Sequence, residues 1–389
     1  MRIAIVGTAP HGGFLHYGVQ LGDALAERGH DVDLIVTRGN ELSGHEGAAR
    51  MRELLTPPVR STEAPPSGLA YQVRRAGIAL RLVRSWARIV WESRFGRYDV
   101  VILNVDVALS LTAGMCLALT AVPGRAALAF VCHNARPYNR FGGDELFESG
   151  GLMLGLLGRL YPRLDLVLLH GEKSRAEFEA AWPPSRLALI PHGDERLFGD
   201  PPPPADEERI LFFGDWRKVK GLEVLMDAFD ELAQRRPSVR LTIAGTPAQQ
   251  DLDPDVVRRW AAGHGERVEV IDSYVPMERV RDIFGAARVV ATPYHVAFQS
   301  GVIHVAQTMA RAVVSSDAGD LPAAVGDTGR IVPAGDSAAL ADALEEVVSD
   351  AELAERLGRE GHRRLEDEAT WETVAERLEQ HLRPIAGSR

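Results

Sequence analysis

The stretch FFGDWRKVKG, residues 212–221, decides how this chain is read. Ile210 to Phe213 is a run of apolar residues suited to a strand buried on both faces, and it stops at Gly214. A short loop then carries Arg217 and Lys220 three positions apart, and Gly221 opens a segment with the apolar spacing of an amphipathic helix. Such a loop is an anion site: a guanidinium forks onto two oxygens, while an ammonium acts as a mobile point charge. A second strand, loop and helix follows in PYHVAFQSGVIHVAQ, residues 293–307. There Gln299-Ser300-Gly301 sets small residues and unpaired amides at a helix N-terminus, where the helix dipole favours phosphate. Two anion sites at the carboxyl ends of neighbouring parallel strands would grip a diphosphate from both sides.

The same alternation extends along the chain. In the first half, strands are read over Arg2 to Val6, Asp31 to Thr37, Val100 to Asn104, Ala127 to Cys132 and Leu166 to Leu169. A glycine loop at Gly12-Gly13 precedes a helix over Gly18 to Arg28, and Ser174 is the expected cap of a later helix. Gly39 to Leu69 is loop-rich, with Pro57-Pro58 and Pro65-Pro66. The run GDPPPPAD, residues 199–206, can continue neither a helix nor a central strand, so it marks a stiff boundary. Strands resume at Ile210 to Phe213, Arg240 to Ala244, Val268 to Ile271, Val289 to Thr292, Val313 to Ser315 and Gly329 to Val332, and Trp371 to Leu382 reads as a last amphipathic helix. The expectation is two doubly wound, Rossmann-like α/β domains with ligands at the strand C-termini. Their bounds are residues 1–198 and 209–368, joined by a linker over 199–208, with 369–389 returning to the first domain.

Composition excludes several classes. At 389 residues, 46% apolar and 25% charged, the chain has material for two full cores and no fibrous or disordered signature. Cys116 and Cys132 sit in apolar runs and read as reduced core residues, in keeping with a cytoplasmic setting. MRIAIVGTAP at the start is too short an apolar run for a signal peptide, and Val107 to Val122 is too short for a bilayer span. Net charge is −10 and uneven, with fourteen acids against five arginines in Gly335 to Gln380. Between Gln72 and Arg97 the balance reverses, with seven arginines (Arg74, Arg75, Arg81, Arg84, Arg88, Arg94, Arg97) against Glu92. Nucleic acid is not expected as a partner, because the chain is acidic and shows no reading module. The Gly12-Gly13 loop lacks the full dinucleotide fingerprint, which argues against a nicotinamide enzyme.

FFGDWRKVKGLEVLMDAF, LTIAGT, the loop around IDSYVP, the stretch ATPYHVAFQSGVIHVAQTMARAVVSSDAGDLPAAV and TGRIVPAGD together resemble the C-terminal half of family 4 glycosyltransferases of the GT-B fold. The branch resembled has an Arg-x-x-Lys-Gly phosphate loop and a Gln-Ser-Gly-Val sugar loop. Gly12-Gly13, His133-Asn134 and LALIPHGDERLF extend the likeness to the N-terminal half. The resemblance implies two Rossmann-like domains facing across a cleft, and a retaining transfer of a hexose-type sugar from a UDP- or GDP-sugar to a hydroxyl acceptor. That acceptor would be a glycan, a lipid-linked intermediate or a natural product, bound mainly by the first domain. Arg217 and Lys220 would neutralise the diphosphate, with Ser300, Gly301 and Val302 opposite them. Gly12, Gly13 and Gly214 would approach the donor through backbone, and Thr246, Tyr274 and Val275 would shape the base pocket. His133 would face the transferred sugar together with Gln299, and Gln307 would meet the ribose. Both glutamines stand where the family commonly has glutamates; an amide still donates and accepts hydrogen bonds but carries no charge. Arg311-Ala312 replaces a common Gly-Pro and reads as local turn variation. No Asp-x-Asp motif adjoins the loops, so no metal and no cofactor is expected.

Other features carry weaker signals. His192 reads as structural at the hinge, and His304 as partly buried within the helix after the phosphate loop. In the arginine-rich segment, Arg81, Arg84 and Arg88 share one helical face while Ile78, Leu82, Trp86 and Ile89 line the other. Such a helix is either solvated or a contact for an anionic membrane at its inner face. Two rivals to a transferase stand: a nucleotide-sugar epimerase or phosphorylase on the same fold, and a catalytically silent nucleotide-sugar binder motivated by Gln299 and Gln307.

Overall fold

Runs whose side chains are apolar on both faces form central parallel strands, and these assemble into two sheets. The structure is a computed structural model that describes residues 1–56, 69–96, 98–106, 110–136, 138–142, 145–148, 151–183, 185–248 and 252–386, with backbone alone for 69–72, 74, 75, 78, 79, 110, 111, 138–142 and 145–148. Pro57-Pro58, Pro65-Pro66, Arg97 and the side chains of Arg74, Arg75 and Ile78 lie outside that description.

The first half holds strands β1 (Arg2–Gly7), β2 (Asp31–Thr37), β3 (Arg50–Leu55), β4 (Val100–Asn104), β5 (Ala127–Val131), β6 (Tyr138–Gly142), β7 (Glu145–Glu148), β8 (Leu166–Leu169) and β9 (Leu187–Leu189). Its helices are α1 (Gly13–Glu27), α2 (Leu69–Phe95), α3 (Ser110–Ala121), α4 (Gly151–Leu160) and α5 (Glu172–Ala181). Seven strands form one parallel sheet in the order β3-β2-β1-β4-β5-β8-β9, while β6 and β7 make an antiparallel pair of their own. The second half holds β10 (Arg209–Phe213), β11 (Arg240–Ala244), β12 (Val268–Ile271), β13 (Val289–Thr292), β14 (Ala312–Ser316) and β15 (Gly329–Val332). Its helices are α6 (Leu222–Arg235), α7 (Pro254–His264), α8 (Met277–Ala286), α9 (Gly301–Thr308), α10 (Leu321–Val325), α11 (Ser337–Ser349), α12 (Ala351–Glu368) and α13 (Trp371–Leu382). These six strands are parallel in the order β12-β11-β10-β13-β14-β15. In each sheet the strand order reverses beside the first strand, between β1 and β4 and between β10 and β13. The crevice outside such a reversal is where an open α/β sheet takes ligands.

The period of two along β1 sorts its side chains between two cores. Ile3 and Ile5 pack with Leu21 and Leu25 of α1, whereas Ala4 and Val6 face Trp86 and Ile89 of α2. The first of these cores is completed by the end of the chain: Trp371, Val374 and Leu378 of α13 lie within it. Trp371 donates its indole N–H to Asp194 O at 2.7 Å, and Glu379 accepts from the Arg28 guanidinium at 2.8 and 3.0 Å. Cys116 and Cys132 are buried and form no disulfide. Among the described residues no helix is long and apolar enough to cross a membrane.

Four expectations change. Helix α1 begins at Gly13 instead of Gly18, so the glycine loop itself is the helix N-terminus. Ser174 is not an N-cap but the third residue of α5, and its hydroxyl bonds the Asp320 carboxylate and Phe298 O of the other half. Trp86 and Ile89 are core residues, so the face they line is not the one a membrane would meet, because the sheet beneath α2 takes them up. Arg311 is more than turn variation: its buried guanidinium donates to Phe284 O at 3.0 Å, Gly285 O at 3.2 Å, Pro202 O at 3.3 Å and Pro203 O, fastening the proline segment to the second half. The unusual backbone there belongs to Ala310, the one non-glycine with positive φ among the described residues, at 52°.

Candidate active site

The loop after β10 is shaped by two close approaches. Gly214, at φ 126°, donates its N–H to Ala244 O at 2.9 Å, and a β-carbon on Gly245 would collide with Gly214 O. Trp216 then turns inward, fully buried, and its backbone N–H reaches Thr246 O at 2.9 Å. Anchored by that indole, the chain carries Arg217 back toward solvent, where its guanidinium lies 3.9 Å from Asp215. A short helical turn over Lys218–Lys220 follows, and Gly221 takes the left-handed conformation at φ 62°, its α-carbon tight against Pro293 O. Only a glycine can both adopt that φ and let the backbones approach so closely.

This contact joins the two sequence motifs. His295 N–H donates to Val219 O at 2.9 Å, and the Lys220 ammonium stands 3.9 Å from the centroid of the Tyr294 ring. The Tyr294 hydroxyl in turn meets Ser300 Oγ at 3.3 Å. Lys220, Tyr294 and Ser300 therefore run in sequence to the start of α9, whose first residues are Gly301 and Val302. Cationic side chains and the amide-bearing end of a helix converge on one crevice, the arrangement that stabilises a polyanion.

The first half supplies the facing wall. His133 follows β5, its Nε2 2.9 Å from Asn104 Oδ1 at the end of β4, and Asn104 donates to Phe14 O at 2.6 Å. Burial and the neighbouring His170 hold the His133 pKa well below its ordinary value, so the imidazole is neutral near pH 7. His133, His170, His192 and His304 form a chain of rings with centroids 5.3, 5.6 and 4.7 Å apart, the last pair stacked across the two halves. Burial pushes His170 down to about 4 and His304 down to about 3.

Gly12 caps α1 at φ 80°, and its N–H donates to Glu41. The same carboxylate meets His16 Nε2 at 2.6 Å and the Tyr274 hydroxyl from the second half. Burial alone would raise the Glu41 pKa, but hydrogen bonds from His16, Tyr274 and Gly12 outweigh it and keep the group below the usual glutamate value. Tyr274 also lies 4.6 Å from the His11 ring, so Tyr274 closes the crevice against the glycine loop. Val275 beside it is buried in a core of the second half. Asp320 makes another bridge, accepting from the backbone N–H groups of Lys173 and Ser174 at 3.0 and 2.9 Å.

Gln299 and Gln307 line one cavity of about 260 Å³ near the hinge, with His170, His192, His304 and Arg364 among its walls. Gln299 Nε2 is buried with no hydrogen-bond partner, whereas Gln307 Nε2 donates to Ala324 O at 2.9 Å. Gln307 thus packs toward α10 and α12, against Gly361, and its amide nitrogen is already committed within the fold.

The structure links Lys220 through Tyr294 to Ser300 at the start of α9, followed by Gly301 and Val302, keeps Arg217 in the same loop as Lys220, sets Gly214 and Thr246 at the neighbouring strand ends, and holds His133, Gly12 and Gly13 on the other half. Glu41, Asn104, His170 and Asp320 were not singled out in the sequence. Asn104 was legible as the polar end of an apolar strand; the others acquire their roles only through partners in distant segments.

The two halves match separate family descriptions: residues 11–193 match "Glycosyltransferase Family 4", and residues 207–350 match "Glycosyl transferases group 1". The D-inositol 3-phosphate glycosyltransferase of Corynebacterium efficiens is 25% identical over 92% of this chain and 90% of its own length. The alpha-maltose-1-phosphate synthase of Mycobacterium tuberculosis is 30% identical over 56% of this chain and 57% of its own. Among solved structures, sucrose-phosphate synthase from Thermosynechococcus elongatus superposes with a TM-score of 0.74 at 21% identity, covering 99% of this chain and 98% of that one. Anabaena HepE in complex with UDP-glucose gives 0.74 at 17% identity over 99% and 100%. Matched in both halves and built as two Rossmann-like domains that meet across a crevice, the chain belongs to the family 4 glycosyltransferases of the GT-B fold.

Proposed function

We propose that this glycosyltransferase moves a hexose-type sugar from a nucleotide diphosphate donor, UDP- or GDP-linked, to a hydroxyl acceptor, with retention at the anomeric carbon and without a metal ion. The observation that carries the reading is the junction of Lys220, Tyr294 and Ser300, which unites two independent anion sites at one strand-order reversal. Solved relatives of the same fold are described with UDP and with UDP-glucose, which supports a sugar-nucleotide donor.

Breaking the glycosidic bond leaves an oxocarbenium-like sugar and places negative charge on the departing diphosphate. Arg217, Lys220 and the amides of Ser300, Gly301 and Val302 are fixed before the reaction, so they stabilise that charge without reorganising. This supply of positive charge is the role a divalent ion would otherwise play. Neutral His133 hydrogen-bonds a sugar hydroxyl without opposing the positive charge that develops on the ring. Gln299, with a buried unpaired amide nitrogen, is the second contact to the sugar. The acceptor oxygen attacks from the face the diphosphate leaves, and a diphosphate oxygen takes its proton.

Purified protein incubated with UDP- or GDP-sugars in excess EDTA is expected to release the nucleoside diphosphate. Lys220→Ala and Arg217→Ala are each expected to lower that rate about 100-fold or more, the usual cost of deleting one preorganised charge stabiliser. Both variants should melt like the parent. Binding of donor without any release would establish the silent binder instead, and activity restored only by added magnesium or manganese would overturn metal independence.

A further inference from the structure

Helix α2 is 27 residues long, about 40 Å at the usual helical rise, and it has three faces. One is core: Ser85, Trp86, Ile89 and Ser93 are buried against the sheet. A second is cationic, with Arg81, Arg84 and Arg88 exposed at spacings of three and four. The third is apolar and faces water: Leu80 is 55% exposed, Val83 54%, Trp91 59% and Phe95 61%. Trp91 and Phe95 pack side by side with ring centroids 5.1 Å apart, forming an aromatic ledge beside the arginines.

The helix has one carboxylate, Glu92, and the fold turns it away from that surface. Glu92 is buried, held by Arg52 at 3.0 and 3.2 Å, and reached by Arg88 at 2.6 Å. The exposed surface of α2 therefore presents cations and large apolar side chains with no anion, on a chain whose net charge is −10. Elsewhere on the described surface large exposed apolar residues are scattered, and single ones need no explanation.

We propose that α2 docks this protein, lying parallel to the surface, on a bilayer rich in anionic lipid, with Trp91, Phe95, Val83 and Leu80 entering the interface and Arg81 and Arg84 meeting headgroup phosphates. A tryptophan and phenylalanine ledge edged by arginines matches the apolar boundary and the negative surface of such a bilayer together. A second copy of the chain fits less well, because a two-fold contact through this face would set its arginines against the same arginines. The docking is independent of the donor reading, since none of these residues lies in the crevice.

The test uses the full chain and vesicles of phosphatidylcholine with or without about one third phosphatidylglycerol. The protein is expected to float with the anionic vesicles and not with the neutral ones. Arg81→Glu/Arg84→Glu and Trp91→Glu/Phe95→Glu are each expected to weaken that binding about tenfold or more while nucleoside diphosphate release from soluble donor stays unchanged. Trp91 is the one exposed tryptophan of six, so quenching by brominated lipid should vanish in Trp91→Phe. Absence of binding to anionic vesicles, or equal binding by the charge-reversed variant, would overturn the proposal. So would a dimer in light scattering that Trp91→Glu/Phe95→Glu converts to monomer, since the face would then be an interface between copies.

Discussion

Gln299 and Gln307 illustrate how two similar residues take different tasks once their surroundings are known. Both were read as neutral replacements for carboxylates on the donor. Gln299 keeps an unpaired amide nitrogen beside the crevice, whereas Gln307 bonds Ala324 O and stitches α9 to α10. Gln299→Ala is therefore expected to lower kcat with little change in melting temperature, while Gln307→Ala should lower the melting temperature and leave donor KM nearly unchanged. A kcat and KM comparison alongside thermal melts of both variants separates the two outcomes. An increase of tenfold or so in donor KM for Gln307→Ala, without loss of stability, would return that residue to the ribose. Both positions were singled out through the family resemblance, which sets glutamates there. Orientation within α9 was not legible, since it depends on α10 and α12, which pack there from later in the chain.

Elements with a continuous apolar run were readable, and those without one were not. β10, β11 and β13 announce themselves, but β3 is an edge strand reading RMRELL, with charges at Arg50, Arg52 and Glu53, and β9 has three residues. The hairpin of β6 and β7 pairs only locally and carried no alternating signal strong enough to separate it from a loop. Helix α13 was readable as an amphipathic helix, yet its consequence lies in what it covers. Trp371 is fully buried, lies 5.2 Å from the Tyr17 ring and packs so tightly on Gly193 that a β-carbon there would collide with its indole. Trp371→Ala is expected to destabilise the protein by about 3–5 kcal/mol through the cavity left and the lost hydrogen bond to Asp194 O. Denaturant titration followed by circular dichroism measures that cost, and a loss below about 1 kcal/mol would mean that α13 is not part of the first core.

At the scale of the whole molecule, the chain of four imidazoles between the halves ties stability to pH. His133, His170, His192 and His304 all have folded pKa values depressed by burial, to about 4 for His170 and about 3 for His304. Below about pH 6.5 the unfolded chain binds protons that the folded protein refuses, so stability falls as pH is lowered through that value. Glu195, buried beside them and pushed up to about 7, acts in the opposite sense: its folded form keeps a proton that the unfolded chain releases, so its contribution falls as pH rises from about 4.5 to 7. Four groups outweigh one, and the melting temperature is expected to drop between pH 7 and pH 5. His304→Gln should flatten that slope and Glu195→Gln should steepen it; a parent profile that is level over this range would refute the assignment. The two-sheet plan was legible in the sequence because each half repeats strand and helix on either side of the prolines. The contacts between halves were not, because Asp320 meets Ser174 and Tyr274 meets Glu41 across separations that leave no local pattern. The placement of α13 also governs the order of events on the ribosome. The apolar stripe of α1 is synthesised early, but its cover follows about 170 residues after Gly199. At cellular elongation rates that interval is roughly ten to thirty seconds. The first domain thus waits with one flank of α1 uncovered, and its core is finished only after the second domain has been made.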